Sequence, residues 1–150
     1  MWTQNCFFVA LLLLTVATSF IEAHGHQHWW DLGFQKARVE VRNELEGERE
    51  LRVHCRSGDD DLGLRVLKPH NFFSWKFRPN LWRTTQFYCA MDWGEGRVHL
   101  FDIYIWRRDY ARCGNCLWIV KQSGPCFYDM GNRAYDFCYP WNPGSLMKLH

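Results

Sequence analysis

Apolar and polar residues alternate with a period of two along much of this 150-residue chain. Val39 and Val41 alternate with Arg38, Glu40 and Arg42, and Leu51, Val53 and Cys55 alternate with Arg52, His54 and Arg56. Phe73, Trp75 and Phe77 alternate with Ser74 and Lys76. That period belongs to strands with one buried and one wet face. The runs Thr84–Trp93, Val98–Trp106 and Cys116–Lys121 are rich in β-branched and aromatic residues, which favour strands. Shorter candidates lie at Leu64–Leu67, Pro125–Tyr128 and Tyr135–Cys138. Turn signals separate them, among them Ser57-Gly58-Asp59, Arg78-Pro79-Asn80, Trp93-Gly94-Glu95-Gly96 and Gly124-Pro125. No window reads as an amphipathic helix. The pattern predicts an all-β fold, a small antiparallel β-sandwich of about eight strands.

The amino-terminal segment is expected to be a separate object. Phe7–Phe20 is an apolar run of 14 residues, whereas a membrane-spanning helix needs about 20. Such a run followed by small residues reads as a signal peptide, with cleavage between Ser19 and Ala23. The alternative is an uncleaved anchor. Residues 1–23 are therefore expected to be removed, leaving 24–150 as a single secreted, extracellular domain without an integral membrane segment. Basic residues then exceed acidic ones by only three, too few to indicate nucleic acid. Cys6 leaves with the signal, and Cys55, Cys89, Cys113, Cys116, Cys126 and Cys138 remain. An even count in a small secreted chain predicts a disulfide framework, which these six can form in 15 ways. No Asn-x-Ser/Thr sequon occurs.

Several stretches together resemble the plant self-incompatibility S-protein homologue family. They are Leu51–Gly63 (LRVHCRSGDDDLG), Phe77–Cys89 (FRPNLWRTTQFYC), Phe101–Tyr104 (FDIY), Arg108–Trp118 (RDYARCGNCLW), Gly124–Cys126 (GPC) and Tyr135–Asn142 (YDFCYPWN). Arg65 stands where the family pattern has His, and the HGHQHWW stretch from His24 is outside the pattern. The resemblance implies a small secreted disulfide-bonded β-sandwich without catalytic residues or cofactor. It also implies a ligand recognised by a receptor on a target-cell membrane. Recognition is then expected in the loops Arg56–Leu62, Asp92–Arg97 and Arg107–Asn115, with a rigid sandwich behind them. Asp92, Glu95, Arg97, Arg107, Arg108 and Arg112 are expected to supply exposed charge there, on a monomer with no nucleic-acid partner.

Other constellations read as structural. Cys113-Gly-Asn-Cys116 has redox-pair spacing, but a strand follows where a helix is needed to activate the thiol. It also lacks the second pair of a zinc site. Asp59-Asp60-Asp61 lacks calcium-loop spacing and is expected to form a turn whose carboxylates bond nearby N–H groups. Phe77, Phe87, Phe101, Trp118 and Tyr139 are core candidates. Trp82 and Trp141 stand in loops, where Trp141 is expected to cap the core. No motif around any Ser or among His54, His70 and His99 indicates a hydrolase. Two functional alternatives remain. A chain beginning at His24, with His26 third, is able to bind Cu(II) and act as a secreted copper protein or oxidase. A membrane-active protein is permitted by charge and aromatics, but no basic amphipathic helix supports it.

Overall fold

Each period-two window becomes a strand in the computed structural model, which describes residues 35–143 and 147–148. The expected signal peptide, His24 and His26 lie outside the described residues. In chain order the strands are β1 (Ala37–Asn43), β2 (Leu51–Arg56), β3 (Asp61–Leu67), β4 (Phe72–Phe77), β5 (Gln86–Asp92) and β6 (Arg97–Ile105). A single helical turn, α1 (Trp106–Asp109), precedes β7 (Asn115–Lys121), β8 (Gly124–Asp129) and β9 (Ala134–Cys138). A two-residue strand, β10 (Met147–Lys148), completes the set. Sheet one has the order β4-β1-β7-β8-β9, and sheet two β10-β6-β5-β2-β3.

Alternation decides which residues meet between the sheets. Val39, Val41, Cys116, Trp118, Val120 and Phe127 face inward from sheet one. Leu51, Val53, Cys55, Phe87, Cys89, Met91, Phe101 and Ile103 meet them from sheet two. Of the expected core aromatics, Phe87, Phe101 and Trp118 are buried, while Phe77 and Tyr139 pack half-buried against the cluster. Trp118 contacts Phe101 and Phe127 edge-on, at centroid distances of 5.2 and 5.0 Å.

Three features depart from the sequence reading. The pairing is antiparallel except between β1 and β7, which run parallel in the register Val39↔Cys116 and Val41↔Trp118. Parallel neighbours need a crossover, and residues 44–114 provide it. The strand expected to reach Trp106 stops at Ile105, because the Asp109 carboxylate accepts the Ile105 N–H at 2.8 Å and turns the chain into α1. Glu40 occupies a wet-face position yet is buried, held between Arg38 at 2.8 Å and Arg42 at 3.3 Å.

Three disulfides form among the six cysteines. Cys55–Cys89 joins directly opposed residues of β2 and β5, and Cys126–Cys138 does the same for β8 and β9. Cys113–Cys116 clips the entry to β7. Beside the second bridge, Gly124 has φ 139°, and a Cβ there would lie 2.0 Å from the Tyr139 carbonyl oxygen. Only glycine admits the Tyr139 strand extension, whose N–H donates to the Pro125 carbonyl at 2.9 Å.

The cross-links close loops of different length, with separations of 34, 12 and 3 residues. On a chain-entropy basis, paired Cys→Ala replacement costs about 4, 3 and 2 kcal/mol respectively. The Cys55–Cys89 pair is also fully buried, so a cavity term adds to its cost. Urea denaturation of the three double variants is expected to rank them in that order. An inverted order would show that native-state packing, and not loop closure, sets their contribution.

Candidate functional site

The strand directions divide the connections between two ends of the sandwich. The β1–β2, β3–β4, β5–β6 and β7–β8 connections share one end. The β2–β3, β4–β5, β6–β7 and β8–β9 connections share the other. Of the three loops expected to bind together, Arg56–Leu62 and Arg107–Asn115 lie at the second end. Asp92–Arg97 lies at the first, a full strand length away.

The six expected contact residues divide in the same way. Glu95, Arg97 and Arg107 are exposed. Glu95 is ion-paired with Arg49, and this bond holds its carboxyl below the usual range. Asp92, Arg108 and Arg112 do not supply exposed charge. Asp92 is turned toward Arg52 at 3.7 Å, with its side chain 15% exposed.

Arg108 is a structural residue. Its Nε and Nη2 donate to the two carboxylate oxygens of buried Asp109 at 2.7 and 2.8 Å, and Nη2 also donates to the Asp102 carbonyl. Its guanidinium lies over Phe101, Trp118 and Tyr139 at 5.5, 5.1 and 5.4 Å. Arg112 lies between the Phe127 and Phe137 rings at 4.1 and 4.3 Å and donates to the Tyr139 hydroxyl at 2.7 Å. Both arginines satisfy the aromatic core's edge, a role that charge counting along the sequence does not reveal.

The second end carries a groove of about 510 Å³. Ser57, Gly58, Asp59 and Asp60 form one wall, and Arg78, Asn80, Thr84, Gln86 and Tyr88 line the other. Both walls are ordered by short polar side chains. Ser57 Oγ accepts the Asp59 and Asp60 N–H groups at 3.2 and 2.9 Å. The turn is therefore built by a serine hydroxyl and not, as expected, by the carboxylates of Asp59 and Asp60, which stay exposed. Asp61 alone behaves as expected, accepting the Gly63 N–H at 2.9 Å. Its carboxylate also meets His54 at 2.5 Å and Arg56 at 3.0 Å, and the His54 bond pulls its pKa down.

The opposing loop is tied by Asn80. Its N–H donates to Thr85 Oγ1 at 2.7 Å, its Nδ2 to Thr84 Oγ1 at 2.8 Å, and its Oδ1 accepts the Thr84 N–H at 3.0 Å. Thr85 O accepts the Trp106 N–H at 3.0 Å, and the Arg83 guanidinium stacks over the Trp106 ring at 5.3 Å. Buried Pro79 anchors the loop, while Leu81 is 70% and Trp82 85% exposed at its tip. The sequence signal was present in Pro79-Asn80-Leu81-Trp82. An apolar pair directly after a Pro-Asn turn leaves its side chains no adjacent strand to pack on.

At the first end, Trp141 caps the core as expected. His99 stacks on Trp93 at 4.3 Å with a 6° interplanar angle, and Trp141 faces His99 at 4.9 Å. Trp141 Nε1 donates to the Gln122 carbonyl, and Asn142 N–H to the Leu100 carbonyl, both at 2.9 Å. Burial lowers the His99 pKa, Glu95 and Asp92 oppose that effect, and Arg97 adds to it. Among the described residues no cluster of three potential metal ligands occurs, and no helix is long and apolar enough to cross a membrane. The copper reading on His24 and His26 gains no support from the described residues.

A family model described as plant self-incompatibility protein S1 matches residues 38–141. S-protein homolog 3 of Arabidopsis thaliana is 37% identical over 144 residues, covering 93% of each chain. S-protein homolog 29 of the same plant is 40% identical over 109 residues, covering 73% of this chain and 80% of that protein. A solved structure, described as a self-incompatibility protein homologue from a widespread family of small, highly stable, secreted plant proteins, superposes with a TM-score of 0.51. It shares 18% identity and covers 79% of this chain and 95% of its own.

Two measurements check the assignments of these residues. Arg108→Ala leaves the Asp109 carboxylate buried and unpaired, at an expected cost of about 3–5 kcal/mol, whereas Arg107→Ala stays within about 0.5 kcal/mol of wild type. Equal melting temperatures for the two variants would contradict the structural role of Arg108. For His99, the lowered folded-state pKa means that the unfolded chain takes up the proton first. Its contribution is complete above the ordinary value of 6.5 and is lost as pH falls below it. His99→Phe, which keeps the stack, is expected to flatten the stability loss between about pH 7 and 5.

Proposed function

Since this chain belongs to the plant self-incompatibility protein S1 family, we propose that it is a secreted, non-enzymatic ligand that docks on a membrane receptor through its grooved end. The groove carries the reading. It is concave, its walls are fixed by Ser57 and Asn80, and it presents the exposed carboxylates of Asp59 and Asp60 opposite Arg78. A site whose walls are already ordered loses little entropy on binding. Charge on both walls favours on-rate and partner discrimination over bulk affinity. Three disulfides fit an oxidising, extracellular compartment, and secretion is how the solved relative is described. Arg107 and the β2–β3 tip belong to this docking end. Glu95 and Arg97, at the opposite end, are left outside the contact.

The reading is tested with labelled protein on plasma-membrane preparations from responsive plant cells. Saturable binding is expected above any lipid background, and protease treatment of the membranes is expected to abolish the saturable component. Asp59→Lys with Asp60→Lys is expected to weaken that binding about tenfold or more, with the melting temperature nearly unchanged. Glu95→Lys is expected to leave binding intact. Protease-resistant binding alone, or full affinity in the double variant, would overturn the proposal.

A further inference from the structure

The Leu81–Trp82 tip stands apart from the groove it adjoins. Neither residue lines the groove, yet they are among the most exposed large apolar side chains described. The loop beneath them is not loose. Asn80, Thr84 and Thr85 close it with three side-chain hydrogen bonds, and Arg83 fastens it to Trp106. An ordered loop that holds a Leu–Trp pair out into water has already met most of the ordering cost of a contact.

We infer that Leu81 and Trp82 insert into the interfacial layer of a lipid bilayer carrying anionic headgroups. Three observations favour lipid over a protein pocket as the occupant. The pair sits on a convex tip, a shape suited to a soft, deformable surface. Trp is enriched at bilayer interfaces, where its ring spans the headgroup boundary, and Leu is a preferred residue on the buried side. The exposed charges on its own loop and on α1 are cations, namely Arg78, Arg83 and Arg107. Such a collar suits anionic headgroups. Asp59 and Asp60 lie on the far wall of the groove, so they limit contact to the tip and keep insertion shallow. This inference rests on the reading of a ligand for a membrane-held receptor. Lipid contact would confine the ligand to the membrane plane and turn the groove toward a receptor segment rising from it.

The test uses protein-free vesicles, which separates it from receptor binding. Wild-type protein is expected to co-sediment with phosphatidylcholine vesicles containing phosphatidylserine, and more weakly with phosphatidylcholine alone. Leu81→Ser with Trp82→Ser is expected to lower this binding about tenfold or more, and Arg107→Glu to reduce the phosphatidylserine dependence. Vesicles with brominated acyl chains report the contact directly. Trp82→Phe is expected to retain binding while losing most of the bromine quenching of tryptophan fluorescence. Asp59→Lys with Asp60→Lys, which tests the groove, is expected to leave vesicle binding undiminished. Absence of vesicle binding, or binding unaffected by the double serine variant, would overturn the inference. If that double variant lost only protease-sensitive membrane binding, the tip would be a protein contact and the receptor reading would stand without it.

Discussion

A buried guanidinium–carboxylate pair sets the geometry at the point where the chain leaves sheet two for sheet one. Asp109 has no solvent exposure, and Arg108 meets both of its oxygens. The same carboxylate stops β6 at Ile105, and the Asp109 carbonyl accepts the N–H groups of Arg112 and Cys113 at 3.0 and 2.9 Å. Burying an isolated carboxylate is costly, so the pair exists only as a unit. The rings of Phe101, Trp118 and Tyr139 around Arg108 then belong to both sheets. One ion pair thus aligns β6, β7 and the Tyr139 segment, and with them α1, against which the β4–β5 loop is packed.

The strands were legible because a sandwich writes its core as a period of two, and Leu51, Val53 and Cys55 obey it without exception. The parallel β1–β7 pair was not legible. Alternation tells which face is buried and says nothing of which neighbour a strand takes. The short helix was hidden for another reason. One turn has no periodicity to detect, and its cause is a carboxylate three residues past its start. The disulfide pairing became definite only when Cys55 faced Cys89 and Cys126 faced Cys138 across adjacent strands.

The site was legible in part: the β2–β3 and β6–β7 loops share one end, while strand direction puts Asp92–Arg97 at the other. Arg108 and Arg112 look like surface charge in a sequence, because cations are seldom buried. Here aromatic faces replace the water that a guanidinium would otherwise need. The converse holds for Leu81 and Trp82, apolar residues whose place at a loop tip keeps them in water. What distinguishes the two cases is the local hydrogen-bond network. Asn80 fixes a loop that points outward, and Asp109 fixes a turn that points inward.

The parallel pairing of β1 with β7 also orders events during synthesis. Sheet two draws β2, β3, β5 and β6 from the stretch 51–105, so most of it is available once that stretch has emerged. Sheet one needs β1 beside β7, and β7 ends only at Lys121. Until then, the inner face of Leu51, Val53, Phe87, Met91 and Phe101 has only β1 and β4 to cover it. Contacts this distant in sequence are slow to form. Full cover of the apolar face of sheet two therefore depends on residues from 115 onward, the last part of the sandwich to be synthesised.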